Sequence, residues 1–249
     1  KKNLYWKDTG YSREETLSSN TSTLSIGTTA LFGQEINAGE RNETQLIQAP
    51  TSVEITGGNG PTLNERYGTN ISISGNYLAV GTKVTQNANV YVYYKNQATG
   101  VYAIQKIITI PTELSGLDSN FGESLSISNN YLAVSAKSQD KVYLYKRKGT
   151  NWTQIKSWDG VDDFSIDSTA FGGSLELTDN YLAIGVNDTA SSVNNRVFLR
   201  GKNVGGTDNW GAVKTFTYPG SNHSSVSTKD DEQFGSNSSI DGDYIIIGA

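Results

Sequence analysis

Phe121-Gly-Glu-Ser-Leu-Ser-Ile-Ser-Asn-Asn-Tyr-Leu-Ala-Val-Ser135 and Phe171-Gly-Gly-Ser-Leu-Glu-Leu-Thr-Asp-Asn-Tyr-Leu-Ala-Ile-Gly185 are two copies of one frame. The frame returns as Tyr67-Gly-Thr-Asn-Ile-Ser-Ile-Ser-Gly-Asn-Tyr-Leu-Ala-Val-Gly81 and as Phe234-Gly-Ser-Asn-Ser-Ser-Ile-Asp-Gly-Asp-Tyr-Ile-Ile-Ile-Gly248. The leading aromatics are 54, 50 and 63 residues apart. A decayed copy, Leu24-Ser-Ile-Gly-Thr-Thr-Ala-Leu-Phe-Gly33, aligns Leu24 and Ile26 with Leu125 and Ile127, without the aromatic-glycine lead or the tyrosine. Self-similarity at a fixed period near fifty residues fixes the architecture before any single residue does.

Each copy reads as a hairpin. Leu125, Ile127 and the Tyr131/Ala133 phase alternate with Ser and Asn, the period-2 pattern of a strand. The links Ser74-Gly-Asn76, Ser128-Asn-Asn130, Thr178-Asp-Asn180 and Asp241-Gly-Asp243 are residues that tolerate the positive φ of primed hairpin turns. After a polar loop comes an alternating aromatic run, Val90-Tyr-Val-Tyr-Tyr94, Val142-Tyr-Leu-Tyr145 or Val197-Phe-Leu199. A glycine-containing turn follows, then a fourth strand opened by Tyr102, Trp152 or Trp210. No amphipathic helix is expected. Four antiparallel strands per repeat make one propeller blade, so the expected fold is all-β, a single β-propeller domain over residues 1–249. Its blades are expected at approximately 18–57, 67–110, 121–158, 171–217, and 234–249 plus 1–17. The last blade is composite because Lys2-Asn-Leu-Tyr-Trp-Lys7 aligns with Lys141-Val-Tyr-Leu-Tyr-Lys146, a third strand. N-terminal strands pairing with the C-terminal hairpin would close a ring of five blades and leave no open sheet edge. The alternative is a segment cut from a ring of six to eight blades.

The frame, from Phe-Gly through Tyr-Leu-Ala-Val-Gly to the Val-Tyr-Val-Tyr run, resembles the FG-GAP repeat, the blade unit of integrin α-subunit propellers and of many microbial surface proteins. The resemblance is strong over 67–249 and weak over 1–66. It implies an extracellular or cell-surface recognition, adhesion or scaffold propeller, with protein or glycan partners and no particular activity. Integrin members carry Asp-rich calcium loops between the first two strands. Here those links are three-residue turns, and Asp241-Gly-Asp243 alone keeps two carboxylates. Calcium takes six to eight oxygen ligands, so calcium is raised by the resemblance but not supported by full ligand loops, and no cofactor is assigned.

Composition excludes several other chemistries. The 249 residues contain no Cys, no Met and one His, with a formal net charge of -5. Without Cys there is no disulfide framework, thiolate nucleophile or Cys-ligated metal. The mild negative charge, with no Lys/Arg block, argues against nucleic-acid binding. No apolar run approaches the roughly 20 residues of a membrane-spanning helix. The chain begins at Lys1 rather than Met, so a processed or excised chain is expected, with part of a larger chain or assembly as one form it can take.

Candidate ligand-face residues come from the loops before each aromatic-glycine lead: Glu65, Asp118, Asp162, Asp163, Asp167, Asp230, Asp231 and Glu232, with Asp188 in the loop after the third hairpin. Convergent carboxylates there could bind a cation or do paired acid–base work, as in glycoside hydrolysis. The simpler reading is a set of solvated polar loops. Trp158, beside the acidic loop, is the candidate for an exposed stacking residue, whereas Tyr102, Trp152 and Trp210 repeat at the blade period, as packing residues do. The lone His223 in a Ser-rich loop has no Gly-x-Ser-x-Gly elbow to support a Ser/His pair. No catalytic residue and no metal ligand is assigned. A non-enzymatic recognition or scaffold module is the first expectation, and a glycan-binding or glycan-active protein is the alternative.

Overall fold

The computed structural model describes residues 29–32, 45–48, 50, 66–82, 88–166, 170–186, 195–217 and 233–248. Among them the protein is all-β, built from consecutive antiparallel sheets. Strands β1 (Thr29–Phe32) and β2 (Gln45–Gln48) form a pair. A four-stranded sheet follows, of β3 (Asn70–Ser74), β4 (Tyr77–Gly81), β5 (Asn89–Lys95) and β6 (Tyr102–Thr109). The next holds β7 (Phe121–Ile127), β8 (Tyr131–Ala136), β9 (Lys141–Lys148) and β10 (Asn151–Asp159). The third four-stranded sheet holds β11 (Phe171–Leu177), β12 (Tyr181–Val186), β13 (Arg196–Gly201) and β14 (Gly211–Thr217). The pair β15 (Ser238–Asp241) and β16 (Tyr244–Ile247) comes last. Every connection within a sheet is to the next strand in sequence. The pairing of N-terminal strands with the last hairpin lies outside the described residues.

The middle strands bury both faces, and the two faces serve different neighbours. In β8, Leu132, Val134 and Ala136 join a core with Ala79, Val90 and Val92 of the preceding sheet. The alternate residues Tyr131 and Ala133 join a core with Leu175, Leu182 and Ile184 of the following sheet. Strand β4 divides in the same way, Leu78 and Val80 backward toward Ile47 and Tyr77 and Ala79 forward. Among the described residues, four apolar clusters therefore lie between five consecutive sheets. This explains why Tyr-Leu-Ala-Val reads as a continuous apolar run while its flanking strands alternate.

The aromatic-glycine lead holds neighbouring sheets together. Phe121 is fully buried, packs edge-on against Tyr143 at 6.0 Å and belongs to the core shared by two sheets. The glycine after each lead has positive φ, from 75° to 87° at Gly68, Gly122, Gly172 and Gly235, a region costly for side-chain-bearing residues. Its backbone also presses on the preceding sheet. A Cβ on Gly81 would lie 2.3 Å from the Gly122 carbonyl oxygen. The ladder between β7 and β8 skips from Phe121 to Leu125, so the lead forms an irregularity at the start of the strand.

A second device repeats along the first strands. The Ser72 hydroxyl accepts the Ile127 N–H at 3.0 Å, and the Ser126 hydroxyl accepts the Leu177 N–H at 3.0 Å. The Glu176 carboxylate occupies the same slot and accepts the N–H of Ile240. Each first strand is thereby fixed to the next.

Burial of this kind predicts a large cost for truncation. Phe121→Ala should destabilise the protein by about 3–5 kcal/mol, as deletions of buried aromatics do, measured from urea unfolding. A loss below about 1 kcal/mol would show that the lead aromatic is not a packing element.

Candidate functional site

The acidic candidates separate in space. Glu65, Asp167, Asp188, Asp230, Asp231 and Glu232 lie outside the described residues, as does His223. Asp118 is exposed, and its backbone carbonyl accepts Gln139 Nε2 at 2.9 Å. Asp162 and Asp163 stand on a single helical turn, α1 (Gly160–Phe164), where the sequence reading expects only loop. The turn forms because Asp159 caps it. Its Oδ1 accepts the N–H groups of Val161 at 3.0 Å and Asp162 at 3.2 Å, while Asp163 Oδ2 accepts the Asp159 N–H at 2.8 Å. Two acidic residues in a first turn also suit the helix dipole. Burial pushes the Asp159 carboxyl up, but Lys141 and the capped N–H groups outweigh it and hold the carboxyl below its ordinary value.

Trp158 corrects the sequence reading. It is 4% exposed and packs in the core shared with Phe171 and Trp210, so it is not a surface stacking residue. The cause is a bulge in β10 between Gln154 and Lys156. Trp152 and Trp158 are an even number of residues apart and would share one face of a regular strand. The extra residue inverts the alternation, sending Trp152 into the core on one side of the sheet and Trp158 into the core on the other. Trp152 and Trp210 pack as expected, Trp152 edge-on against Tyr77 at 5.8 Å and Trp210 edge-on against Tyr131 at 5.0 Å. Each tyrosine belongs to the preceding sheet, and each is also overlaid by a cation from the following one, Arg147 at 4.7 Å and Lys202 at 5.1 Å.

Carboxylates absent from the sequence reading join the sheets. Asp140 is buried in left-handed backbone, and its Oδ1 accepts the N–H groups of Ala170 and Phe171 at 3.1 and 3.0 Å, fixing the start of the next aromatic-glycine lead. The buried Asn195 stands in the equivalent slot one repeat later, just before the third strand. That recurrence was the signal available in the sequence. Asp208 bridges sheets in the other direction. Its Oδ1 accepts the Tyr131 hydroxyl at 2.6 Å, and its Oδ2 accepts Lys146 Nζ at 2.5 Å. The Lys146 and Tyr131 hydrogen bonds hold the Asp208 carboxyl below its ordinary value.

Among the described residues, two pockets bear on the candidate site. One, of about 370 Å³, runs beside β6 and is lined by Lys106, Glu113, Tyr145, Trp152 and Gln154. The other, of about 270 Å³, is lined by the first strands of four sheets, with Ser72, Ser126, Ser174, Glu176 and Ser238 among its walls. Neither is lined by Asp118, Asp162 or Asp163. Among the described residues no group of three or more His, Cys, Asp and Glu is placed to hold a metal ion, and Asp241 and Asp243 are exposed. No helix among them is long and apolar enough to cross a membrane. No protein-family model and no curated protein matches the chain.

Asp208 gives a pH dependence of defined sign. A carboxylate with a depressed folded-state pKa contributes stability that is fully present above the unfolded value, near 3.9. That contribution is lost as pH falls through the lower folded value. Melting temperatures measured from about pH 6 downward should therefore fall less steeply below about pH 4 in Asp208→Asn than in the unchanged protein. Equal acid-side slopes would mean that the Lys146–Asp208–Tyr131 bridge contributes nothing to folding.

Proposed function

We propose that the chain is a five-bladed propeller of the FG-GAP type. It serves as a non-enzymatic extracellular or cell-surface recognition, adhesion or scaffold module for a protein or glycan partner. The observation that carries this reading is the repeated docking of sheet on sheet, which builds an array that presents loops from successive sheets. Binding residues concentrate on loops held by such scaffolds. The carboxylates of Asp140, Asp159 and Asp163 are engaged with backbone N–H groups within the array, so these acidic residues serve its construction.

Two exposed apolar patches support closure of the ring. Tyr244 and Ile246 on β16 are 82% and 75% exposed, although Tyr131 and Ala133 in the same slots are covered by a following sheet. Ile71 and Ile73 are also exposed, although Leu125 and Ile127 in their slots are covered by a preceding sheet. A sheet whose inner strand is Leu24–Ile26 would lie between the two patches and cover both. By the alignment of the repeats, Ser239 and Ile26 take the places of Ser72 and Ile127, whose hydroxyl and N–H are hydrogen-bonded. The chain has no Cys, so the pair Ser239→Cys and Ile26→Cys can be tested with a short bis-maleimide. The pair Ser72→Cys and Ile127→Cys serves as a control on a known 3.0 Å contact. Both should cross-link within one chain, detected by peptide mass spectrometry. Linking of the control pair alone would overturn closure.

A second reading, glycan binding, has one specific support. The groove beside β6 exposes Lys106, Glu113 and Gln154 on its rim, polar groups able to hydrogen-bond sugar hydroxyls, while Trp152 and Tyr145 are buried beneath them. Glycan-array binding combined with a hydrolysis assay separates the readings. Binding without turnover is expected of a recognition module, and measurable turnover of any polysaccharide would overturn the non-enzymatic reading.

A further inference from the structure

The cavity lined by the first strands carries a charge that the construction of the array does not require. The repeat needs one acceptor at the slot of Ser72 and Ser126, and a hydroxyl supplies it in both. Glu176 does the same work for Ile240 but brings a carboxylate into a partly buried position, where loss of solvation pushes its pKa up. It has no ion-pair partner among the described residues. A half-buried carboxylate with no ion-pair partner is favoured in its charged form by a cation placed beside it.

The rest of the cavity wall supplies hard, neutral oxygen donors. Ser124 is 6% exposed and lines the cavity, and its hydroxyl makes no hydrogen bond among the described residues. Ser238 Oγ, from another residue of the same lining, is buried with no hydrogen-bond partner among the described residues. Ser126, its oxygen already accepting from Leu177, and Asn237 complete a wall of hydroxyls and amides. No nitrogen or sulfur donor of the kind soft metals select is among the lining side chains. At about 30 Å³ per water, a space of about 270 Å³ admits an ion together with most of a hydration shell.

We propose that this cavity binds one hydrated hard divalent cation of the calcium class, with Glu176 as its charged ligand among the described residues and the serine hydroxyls around it holding the ion's water. The site lies among the first strands, away from the turns between first and second strands. It exists in the described sheets whether or not the ring closes. A single carboxylate with water-mediated contacts places the affinity at roughly millimolar, at the weak end of calcium modules.

The test uses manganese ion as a paramagnetic probe of the whole chain, read in amide NMR spectra. With Mn²⁺ up to about 10 mM, the amide signals of Ser124, Ser126, Ser174 and Ser238 should broaden, and added Ca²⁺ should restore them. Glu176→Ser keeps an acceptor for the Ile240 N–H and removes the charge. In it the same signals should need at least tenfold more Mn²⁺, while broadening near the exposed Asp162 stays unchanged. Equal broadening of the cavity signals in the variant, or none in the unchanged protein, overturns the proposal. Should Glu176→Ser fail to fold, Glu176→Gln carries the same decision. A matched addition of NaCl that restores the signals as well as Ca²⁺ does would reduce the effect to screening and likewise overturn it.

Discussion

The whole array depends on how closely one backbone can approach the next. The carbonyl oxygen of Gly122 occupies the space that a Cβ on Gly81 would need, and Gly122 reaches it through a positive φ. That contact sets the distance between sheets, and the apolar layer follows from it. With the sheets this close, small Ala79 and Ala133 suffice on the forward face of the second strand, and larger Leu, Ile and Val fill the backward face. The match of small against large is what interior packing density demands. The lead aromatic then closes the end of the same layer.

Polar groups are placed by the same geometry. Wherever a first strand comes within reach of its neighbour, its free N–H must be satisfied, and Ser72, Ser126 and Glu176 meet that demand in turn. Asp140 does so for the start of β11. These contacts are directional where the apolar layer is not, so they fix register between sheets that hydrophobic packing alone would allow to slide. Asp208 adds a link that depends on charge, tying Tyr131 and Lys146 of one sheet to the loop of the next. The array therefore combines a pH-independent apolar layer with a few bonds that weaken in acid.

Much of this was legible in the sequence because it repeats. Strand order, hairpin turns and the buried roles of Phe121, Trp152 and Trp210 all follow from period-2 alternation within a fifty-residue frame. What the frame did not reveal comes from events that occur once. The bulge in β10 inverts the side on which Trp158 falls, and no composition signal marks Ile155 as the residue left over. The helical turn at 160–164 arises from a reciprocal cap between Asp159 and Asp163, whose carboxylates look like any acidic loop. Asp208 lies far along the chain from Tyr131, and no local pattern links the two. The candidate site was least legible of all, because loop carboxylates carry no mark of whether they face solvent, a backbone N–H or a cavity.

In a repeat protein the positions that agree report on packing, and the positions that depart from the frame hold whatever is specific to the molecule. Ser135 stands where its neighbours have Gly81 and Gly185, and its hydroxyl accepts the Ser124 N–H at 3.1 Å, so this departure is absorbed locally. Ile246 stands where the others have alanine. On the forward face of β16 it adds apolar surface that is left exposed among the described residues. Glu176 stands where the others have serine, does the serine's work, and leaves over one negative charge facing hydroxyls. The first departure costs nothing that its surroundings do not return. The other two each leave a debt of burial or charge that the described sheets do not settle, and they do so at different places, one on an outer face and one in the space between first strands. A partner for the face and a partner for the charge are thus separate requirements, and satisfying one leaves the other standing.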